Sequence, residues 1–517
     1  MQTTDRNAQD EVIKFLLKPE SHGLSRPIER IDTHAAIIFL AGNRAFKLKR
    51  AVKFPYLDFS TAERRKAVCK DELRLNKRTA PELYCEVRAI RRDADGRLGF
   101  DVGVPVEWVL VMRRFPPDAL LTKVAKRGEL RSELLRDLAD AIAAFHKNAA
   151  VGPCRGGAQR VQAVIEGNRQ SMIEHSEVLE PGQVEALHRT SMEVSGKLAP
   201  LLDRRSQEGL VRHCHGDLHL ANICIWKDTP TLFDCLEFDE QLATIDVLYD
   251  LAFLLMDLWE RGYRREASRI FNRYCDMTGE AEGIATLPLF LSMRAAVRAH
   301  VCASAAKRQE SEAEAARKRA EAEDYLTAAR TFLKHEGAGI LAIGGRSGTG
   351  KSTLAGNVAH SLGRAPGARW LRSDVLRKRM AGLVPEKTLP ADAYTPGSSR
   401  AVYDRLMQEM DTVLAAGQSV VIDAAFLSAH EREHVETHAR RSGAQFAGIW
   451  LNATAKILRK RVSSRRSDPS DADVAVVERQ FGLDIGDIAG WHELDASGFP
   501  QDVADRFAGL SLWDKAE

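Results

Sequence analysis

Apolar and polar positions alternate near the start of the chain, a pattern that is typical of strands. The runs "AAIIFLAG" and "NRAFKLKRAV" predict two strands joined at Gly42-Asn43, a dipeptide that favours a tight hairpin turn. A charged helical stretch, "STAERRKAVCKDELRLNKR", comes next, and Val106 to Phe115 form an apolar run that predicts another buried strand. From about residue 129 to Leu333 the spacing is mainly helical, interrupted by the polar segment "HCHGDLHLANIC".

The pattern changes again after Leu333. "KHEGAG", residues 334–339, has the composition of a linker. Beyond it the apolar runs "ILAIGG", "ARWLRSD", "SVVIDAAF" and "FAGIWLNA" alternate with helical segments, which predicts a parallel α/β sheet. We therefore expect one domain over 1–333 and a second over 340–517, in keeping with the two to four domains expected of 517 residues.

Composition narrows the class of protein. Hydrophobic residues make up 44% and charged residues 28% of the chain, as in a globular protein. The net charge of +3 is too small to indicate a nucleic-acid partner. The N-terminus lacks the pattern of an export signal, and no apolar run is long enough to span a bilayer. None of the eight cysteines forms a C-x-x-C pair, so we expect a cytoplasmic protein with free thiols and no membrane partner.

The stretch "GGRSGTGKST" contains G-x-x-x-x-G-K-[ST] between an apolar strand and an amphipathic helix. Backbone N–H groups of such a loop surround phosphates, while Lys351 would reach the β- and γ-phosphates and Ser352 would hold Mg²⁺. Asp423 ends the apolar run "SVVID", where a second carboxylate for Mg²⁺ is expected, although a strand-terminal Asp in a turn has the same appearance. The residues predicted to contact the nucleotide are Gly345, Gly348, Thr349, Gly350, Lys351, Ser352 and Thr353.

Two further pairs of residues are candidates for catalysis beside this loop. Asp374 and Arg377 follow a strand and share a helix face, so Asp374 could accept a proton and Arg377 could hold an anion. A helix-capping Asp with a surface Arg is an equally simple interpretation. Arg461 and Arg465 precede a Ser/Asp/Pro-rich segment and could neutralise charge from a lid, or could belong to a solvated basic helix.

The segment "HCHGDLHLANIC" has two interpretations. Its histidines and cysteines could bind a metal, but H-E-x-x-H would require Glu at position 216, where the chain has Gly216. Alternatively, Asp217 and Asn222 have the separation of the Asp and Asn in the kinase motif H-R-D-L-x-x-x-N. Asp234, twelve residues after Asn222, would then be the second metal-binding residue, since Mg²⁺ prefers hard oxygen ligands. We favour the second interpretation.

Residues earlier in the chain supply the partners that such a site needs. Lys47 ends "RAFK" on a predicted strand, and Glu72 lies on the next predicted helix, where it could fix Lys47 against the phosphates of ATP. Lys49 faces the same side of the strand as Lys47, so the choice between the two lysines stays open.

The residues "HGDLHLAN", "LFDCLEFD" and "IDVLYDLAFLLMDL" resemble the aminoglycoside phosphotransferase-like family over about residues 26–333. The resemblance implies a bilobal protein-kinase-like domain of α+β type, with Asp250 at the start of an apolar helix. No G-x-G-x-x-G loop precedes the first strands and no A-P-E follows Asp234, which separates the chain from protein kinases. The run Cys235-Leu236-Glu237 also differs from the usual aminoglycoside kinases.

Residues 339–480 resemble P-loop kinases, especially polynucleotide-kinase-like and zeta-toxin-like proteins with an Asp and an Arg after the second strand. This resemblance implies a P-loop NTPase domain of parallel α/β type. The whole chain looks like the uncharacterised bacterial proteins that fuse these two domains.

The function that these observations predict is ATP-dependent phosphoryl transfer, with Mg²⁺, at two separate nucleotide sites and to the hydroxyl group of a small molecule. Two alternatives stay open. One is a regulatory nucleotide-binding protein with one inert domain, and the other is a P-loop kinase of nucleic-acid ends. The weak net charge makes a nucleic-acid partner the less favoured of these, and the sequence predicts no oligomeric state.

Overall fold

The chain opens with a helix followed by a mainly antiparallel sheet, as its alternating pattern predicts. The computed structural model describes residues 2–33, 35–54, 57–237, 240–309, 311–464 and 470–510. The strands of the first half are β1 (Glu29–Asp32), β2 (Ala36–Ala41), β3 (Arg44–Lys49), β4 (Lys53–Phe54), β5 (Leu57–Asp58), β6 (Tyr84–Arg92), β7 (Leu98–Gly99), β8 (Val104–Arg113), β9 (Val211–His213), β10 (Ile223–Trp226), β11 (Thr229–Leu232) and β12 (Thr244–Asp246). The helices up to residue 332 are α1 (Gln2–Leu17), α2 (Ala62–Asn76), α3 (Leu121–Lys126), α4 (Ser132–Asn148), α5 (Gly157–Ile173), α6 (Pro181–Gln207), α7 (Glu240–Ala243), α8 (Val247–Glu260), α9 (Arg264–Thr278), α10 (Leu287–Ala306) and α11 (Glu312–Phe332).

The predicted hairpin is confirmed by the register of β2 and β3. Ala41 pairs with Arg44, which leaves Gly42-Asn43 as the two-residue turn. The sheet has the order β1-β2-β3-β8-β6-β7. Alternation along β3 turns Phe46 and Leu48 toward one apolar cluster, while Ala45 belongs to a different cluster. The lysines at the odd positions of β3 therefore lie on the face that Ala45 shares.

Short paired strands frame two polar loops later in this part of the chain. Strands β9 and β12 pair with each other, and β10 pairs with β11. One loop runs from β9 to β10 through a short 3₁₀ turn at Leu220–Asn222, and the other begins directly after β11. These two loops carry the polar residues that the sequence singled out.

The described chain forms two compact units. The first contains residues 1–152 and 209–250, and the second contains residues 153–208 and 251–517. Helices α5, α6 and α9 to α11 therefore share a unit with the C-terminal sheet. The domain limits predicted from the sequence place a linker at 334–339, which lies inside the second unit, and these limits stay a prediction. No helix in the described part of the chain is both long and apolar enough to cross a membrane.

The C-terminal sheet is parallel throughout, with the order β14-β15-β13-β16-β17. Its apolar core includes Leu341, Ile343, Val421 and Ile449, all essentially inaccessible to solvent. The fold class predicted for this half is thereby confirmed. The elements are β13 (Gly339–Gly345), α12 (Lys351–Val358), β14 (Arg369–Arg372), α13 (Ser373–Met380), α14 (Pro396–Ala415), β15 (Val420–Asp423), α15 (Ala429–Ser442), β16 (Gln445–Asn452), α16 (Ala455–Ser463), α17 (Val474–Phe481), β17 (Trp491–Asp495) and α18 (Pro500–Ala508).

Helix α9 is fastened to the edge of this sheet by polar groups. The Asn272 side chain accepts from the Trp370 backbone N–H at 2.6 Å and donates to the Ala368 carbonyl at 3.1 Å, so it pairs with β14 much as another strand would. Asp276 forms ion pairs with Arg369 and Arg372, and both Asp276 and Arg369 are buried. These contacts account for the placement of α9 in the second unit.

Candidate functional site

Lys47 on β3 lies between two carboxylates in the first unit. Its Nζ is 2.7 Å from Glu72 Oε1 on α2 and 2.6 Å from Asp234 Oδ1 in the loop after β11. Burial disfavours the charge of Lys47, but the carboxylates of Asp234 and Glu72 outweigh burial and raise the pKa of Lys47 well above its ordinary value. Lys47 is therefore a fixed cation whose position is set from two sides.

A second lysine shares this cluster. Lys49 Nζ is 2.6 Å from Glu72 Oε2 and also pairs with Glu237. Both lysines therefore bind Glu72, and Asp234 pairs with Lys47, which favours Lys47 as the candidate for the phosphates. Burial raises the pKa of Glu237, and repulsion from Glu72 adds to it, although Lys49 acts in the opposite direction.

Asp217 and Asn222 lie together on the loop between β9 and β10. Asn222 Nδ2 donates to Asp217 Oδ2 at 2.8 Å and to the Asp217 carbonyl at 3.0 Å. The Asp217 side chain is 39% exposed, so a substrate can reach it, whereas Asn222 is buried. Asn222 thus orients the solvent-accessible carboxylate of Asp217 through its Nδ2 atom. The Oδ1 atom of Asn222 is the one that could bind a metal ion.

Asp250, at the start of α8, holds the same loop in place through hydrogen bonds to its backbone. Its two carboxylate oxygens accept the backbone N–H groups of His215 at 3.0 Å and Gly216 at 2.8 Å, and Oδ2 also contacts His146 Nε2 at 3.1 Å. Gly216 has φ of +82°, and a Cβ there would meet Leu236 Cβ at 2.9 Å. The glycine that replaces the arginine of protein kinases is therefore required by the close packing of the two polar loops.

Asp234 adopts the left-handed backbone conformation, with φ of +63°. Such a conformation costs a non-glycine residue roughly 1–2 kcal/mol, so surrounding contacts must hold it. The Asp234 N–H donates to the buried Tyr84 hydroxyl at 3.1 Å, and the neighbouring Cys235 N–H donates to Asn76 at 2.8 Å. Burial would raise the pKa of Asp234, but Lys47 outweighs burial and holds that pKa below its ordinary value.

The histidines of this loop have hydrogen-bonding roles. His215 Nε2 donates to the Phe233 carbonyl at 3.0 Å, and His219 Nδ1 accepts from the Ala221 N–H at 3.2 Å. Within the described residues, one group of three or more His, Cys and carboxylate side chains reaches metal-ligand range, and it consists of His146, Cys214 and Asp250. Asp250 already accepts hydrogen bonds from two backbone N–H groups. Its role in anchoring the loop therefore explains why these three side chains lie together.

The P-loop of the second unit lies between β13 and α12. Gly345 has φ of +140°, and a Cβ there would come within 2.5 Å of the Leu451 carbonyl oxygen. Gly348 and Gly350 also have positive φ, and Gly350 caps the N-terminus of α12. Lys351 Nζ donates to the Gly345 carbonyl at 2.8 Å and to the Arg346 carbonyl at 3.1 Å. The side chain of Lys351 thus contacts the backbone of its own loop.

The polar side chains of the P-loop fall into two groups. Ser352 and Thr353 are exposed at the start of α12, where an anion would meet free N–H groups. Thr349 is buried, and its hydroxyl donates to the Arg346 carbonyl at 2.8 Å, so its side chain shapes the loop. The Ser347 N–H donates to Gln480 Oε1 at 2.7 Å, which ties the loop to the end of α17.

Asp423 lies at the end of β15, near enough to Lys351 and Ser352 for both side chains to favour its charged form. Burial raises the pKa of Asp423, and Lys351 and Ser352 offset that effect only in part. Asp374 is close enough to contribute charge repulsion and lies in the first turn of α13. A cavity of about 1070 Å³ joins these groups. The residues that line it include Lys351, Ser352, Asp374, Tyr403, Asp423 and Glu431.

Arg377 and Arg461, the described arginines predicted to act at this cavity, both line it and also bind backbone carbonyls. Arg377 donates to the Ala393 carbonyl at 2.9 Å and lies 4.9 Å from the centre of the Tyr394 ring, so it holds the segment before α14. Arg461 donates to the carbonyls of Ala496 and Gly498 at 2.7 and 2.8 Å, so its guanidinium fastens the loop between β17 and α18. A catalytic role for Arg377 and a lid role for Arg461 stay predictions. Arg465 lies outside the described residues.

Several residues of these sites carry no signal in the sequence. Tyr84, Glu237 and His146 reach their partners across 104 to 188 positions, and no motif marks them. The run Cys235-Leu236-Glu237 was visible only as a departure from the family. Gln480 and Glu431 likewise join the P-loop cavity through the fold.

Comparison with known proteins agrees with this geometry. Residues 42–284 match the family model described as Phosphotransferase enzyme family, and residues 340–482 match the model described as AAA domain. The chain therefore contains one segment that matches the phosphotransferase family and a second that matches AAA domains, and both resemblances are confirmed. The matches support a phosphotransferase that uses ATP.

Particular relatives span nearly the whole chain. Uncharacterized proteins of Mycobacterium tuberculosis and Mycobacterium bovis are each 29% identical over 480 residues, which cover 90% of this chain and 92% of the relative. Among solved structures, a choline/ethanolamine kinase family protein from Mesorhizobium loti is 18% identical, covers 63% of this chain and 99% of that chain, and has a TM-score of 0.37. A sugar kinase from Janibacter sp. is 21% identical, covers 33% and 92%, and has a TM-score of 0.26.

Proposed function

We propose that the protein is an ATP-dependent phosphotransferase with two separate nucleotide sites, and that the first site phosphorylates a hydroxyl group of a small molecule. The observation that carries this proposal is the convergence of Lys47, Glu72, Asp217, Asn222 and Asp234. These residues come from one strand, one helix and two loops, so their meeting is a property of the fold.

Each residue of the first site has a task in phosphoryl transfer. Lys47, held by Glu72, binds the phosphates of ATP. The oxygen of the acceptor hydroxyl attacks the γ-phosphorus, ADP leaves with the bridging oxygen, and Asp217 accepts the hydroxyl proton on its carboxylate. Asn222 orients Asp217 through the 2.8 Å hydrogen bond, so the proton acceptor is in place before substrate arrives.

The donor set fits Mg²⁺. Asn222 and Asp234 offer hard oxygen ligands, and the group as a whole carries excess negative charge. The four carboxylates of Glu72, Asp217, Asp234 and Glu237 oppose the two ammonium groups of Lys47 and Lys49, which leaves a formal charge of −2. A bound Mg²⁺ would balance that charge and neutralise the phosphate oxygens during transfer.

In the second site, the P-loop backbone and Lys351 would bind the phosphates, with Ser352 and Asp423 as the ligands of Mg²⁺. Asp374 would accept a proton from the second substrate, and Arg377 would position the segment that faces it. The cavity of about 1070 Å³ exceeds the usual volume for one small ligand, so a nucleotide and an acceptor can share it.

Calorimetric titration with Mg·ATP tests the two-site proposal directly. We expect two equivalents for the unmodified protein, loss of one in Asp234→Ala and loss of the other in Lys351→Ala. The exposed residues Asp95 and Lys334 provide matched controls, so Asp95→Ala and Lys334→Ala should keep both equivalents.

The outcomes separate the alternatives. A single equivalent that disappears only in Lys351→Ala would contradict a catalytic first site and favour a regulatory domain. RNA or DNA binding that weakens steeply with salt and depends on Asp374 would favour a kinase of nucleic-acid ends. We further propose a cytoplasmic location, because all eight cysteines are free thiols and a reducing compartment preserves them.

A further inference from the structure

Three histidines recur at four-residue spacing on α15, outside both nucleotide sites. His430, His434 and His438 therefore lie on one helix face. The rings of His430 and His434 are nearly parallel, with centroids 5.9 Å apart, whereas His434 and His438 meet at 70° with centroids 4.8 Å apart. The second pair brings its Nε2 atoms together at 3.2 Å.

The separation of these two nitrogens matches that of two ligands on one metal ion. Zinc binds imidazole nitrogen at about 2.0–2.1 Å in tetrahedral geometry, which places two ligand nitrogens about 3.3–3.4 Å apart. Histidines four positions apart on a helix are a known arrangement for holding such an ion. The 3.2 Å distance between the nitrogens of His434 and His438 is within a few tenths of an ångström of that value.

Asp411 on α14 prepares His438 for this role. Its Oδ2 is 3.0 Å from His438 Nδ1, where it accepts the N–H of the ring. With the proton held on Nδ1, the lone pair of His438 lies on Nε2, the atom that faces His434. Metal-binding histidines commonly have such a carboxylate on their second nitrogen, which fixes the ring and makes it more basic.

We propose that His434 and His438 bind a divalent transition-metal ion of the zinc class, with Asp411 orienting His438 and water completing the coordination. Imidazole ligands favour zinc, copper and nickel over magnesium, so this site differs in chemistry from the oxygen-lined sites for Mg·ATP. The bound ion would link α15 to α14 through Asp411. The proposal is independent of the phosphotransferase activity.

Zinc titration of the full-length, nucleotide-free protein after chelator treatment is the first test. We expect the double variant His434→Gln/His438→Gln to bind one equivalent fewer than the unmodified protein. His492→Gln removes an exposed histidine from β17 and should bind as the unmodified protein does. Any zinc that binds to cysteines binds to every variant alike. The difference in zinc stoichiometry between variants therefore reports the site of His434 and His438.

Asp411→Asn keeps both histidines and tests the arrangement more finely. The affinity for zinc should fall by about 10- to 100-fold, the usual cost of removing a carboxylate that orients a metal ligand. Cobalt(II) should give visible absorption bands that weaken in the double variant, and a tenfold excess of Mg²⁺ should leave them unchanged. Melting curves without metal should coincide for all variants, which excludes misfolding as the cause.

Equal zinc stoichiometry and affinity in the unmodified protein and the double variant would overturn the proposal. The close approach of His434 and His438 would then be an N–H···N hydrogen bond only. Displacement of cobalt by Mg²⁺, or an Asp411→Asn variant with unchanged affinity, would equally contradict the assigned ligands.

Discussion

The two proposed nucleotide sites place a lysine for phosphate in opposite ways. In the first unit, Lys47 is held by Glu72 and Asp234, which lie 25 and 187 positions away in the chain. In the second unit, Lys351 contacts carbonyls of Gly345 and Arg346, six and five positions away. One lysine is set by buried ion pairs and the other by the backbone of its own loop.

This difference determines what each site depends on. The first site needs the packing of β3, α2 and two distant loops, so a change in any of them moves the lysine. The position of the lysine in the second site depends instead on a few residues with backbone angles that glycine adopts readily. The first should therefore be sensitive to buried charge, and the second should be sensitive to added side-chain atoms.

The largest expected effect belongs to the proton acceptor of the first site. Asp217→Asn should lower kcat of transfer by about 10²- to 10⁴-fold, because the amide cannot accept the hydroxyl proton. The affinity for ATP should stay unchanged, since the phosphates are assigned to Lys47, whose carboxylate partners are Glu72 and Asp234.

This rate is measured as product formation in a Lys351→Ala background, so that only the first site turns over. Asp228→Asn, at an exposed turn, is the matched control. An Asp217→Asn variant with the rate of its background would show that another group accepts the proton.

Removing the buried charge of Glu72 should have the next largest effect. Glu72 is fully buried and pairs with both Lys47 and Lys49, so Glu72→Gln leaves two ammonium groups short of a partner. We expect a loss of about 3–5 kcal/mol in the free energy of unfolding of the first unit, measured by denaturant titration.

Two further variants test whether this loss in the free energy of unfolding depends on buried charge. Glu237→Gln should cost less, because burial already raises the pKa of Glu237 toward the neutral form. Glu86→Gln, on an exposed side chain of β6, should change stability by less than about 0.5 kcal/mol. Equal losses for Glu72→Gln and Glu86→Gln would contradict the dependence on buried charge.

Added atoms should disable the second site instead. In Gly345→Ala the new Cβ would meet the Leu451 carbonyl, and the φ of +140° is strained for alanine. Strain of about 1–3 kcal/mol would weaken Mg·ATP binding by roughly tenfold or more, measured by calorimetry in an Asp234→Ala background. Gly397→Ala, where a Cβ meets nothing within 4 Å, should bind normally.

Acidification should separate the two sites in a defined order. The pKa of Asp423 is raised by burial, so on lowering the pH Asp423 takes up a proton early and stops binding metal. The pKa of Asp234 is lowered by Lys47, so Asp234 stays ionised to a lower pH. Below the pKa of its carboxylate, each site should lose up to about tenfold in Mg·ATP affinity per pH unit.

Calorimetry between pH 7 and pH 4 on the Lys351→Ala and Asp234→Ala proteins checks that order, with the former reporting the first site. Loss of binding at the first site at a higher pH than at the second would contradict the assignment of these two carboxylates.

The sequence predicted most of what is local. The hairpin at Gly42-Asn43, the strands β13 to β16 and the P-loop follow from short-range rules of periodicity and glycine spacing. Strand β17 was missed, because Trp491–Asp495 has only five residues and three of them, His492, Glu493 and Asp495, are exposed and titratable. Its place in the sheet depends on pairing with β16.

The site residues follow the same division. Asp217, Asn222, Asp234 and Lys47 were recognisable because a family motif fixes their spacing. Glu237 and Tyr84 were not, because they act through contacts between segments that no spacing rule connects. The attachment of α9 to β14 through Asp276 was invisible for the same reason, since a buried ion pair between distant segments leaves no periodic pattern.

The smallest expected effect concerns Arg461, where rate and stability give different answers. A guanidinium that acts on transferring phosphate contributes about 10³- to 10⁵-fold in rate. Arg461 instead donates to the carbonyls of Ala496 and Gly498, and it is only partly buried. Arg461→Gln should therefore lower the free energy of unfolding by about 1 kcal/mol and change turnover at the second site less than threefold. A rate loss above a hundredfold with an unchanged melting temperature would show that Arg461 acts in catalysis. The second site would then also depend on a side chain that contacts between distant segments hold in position.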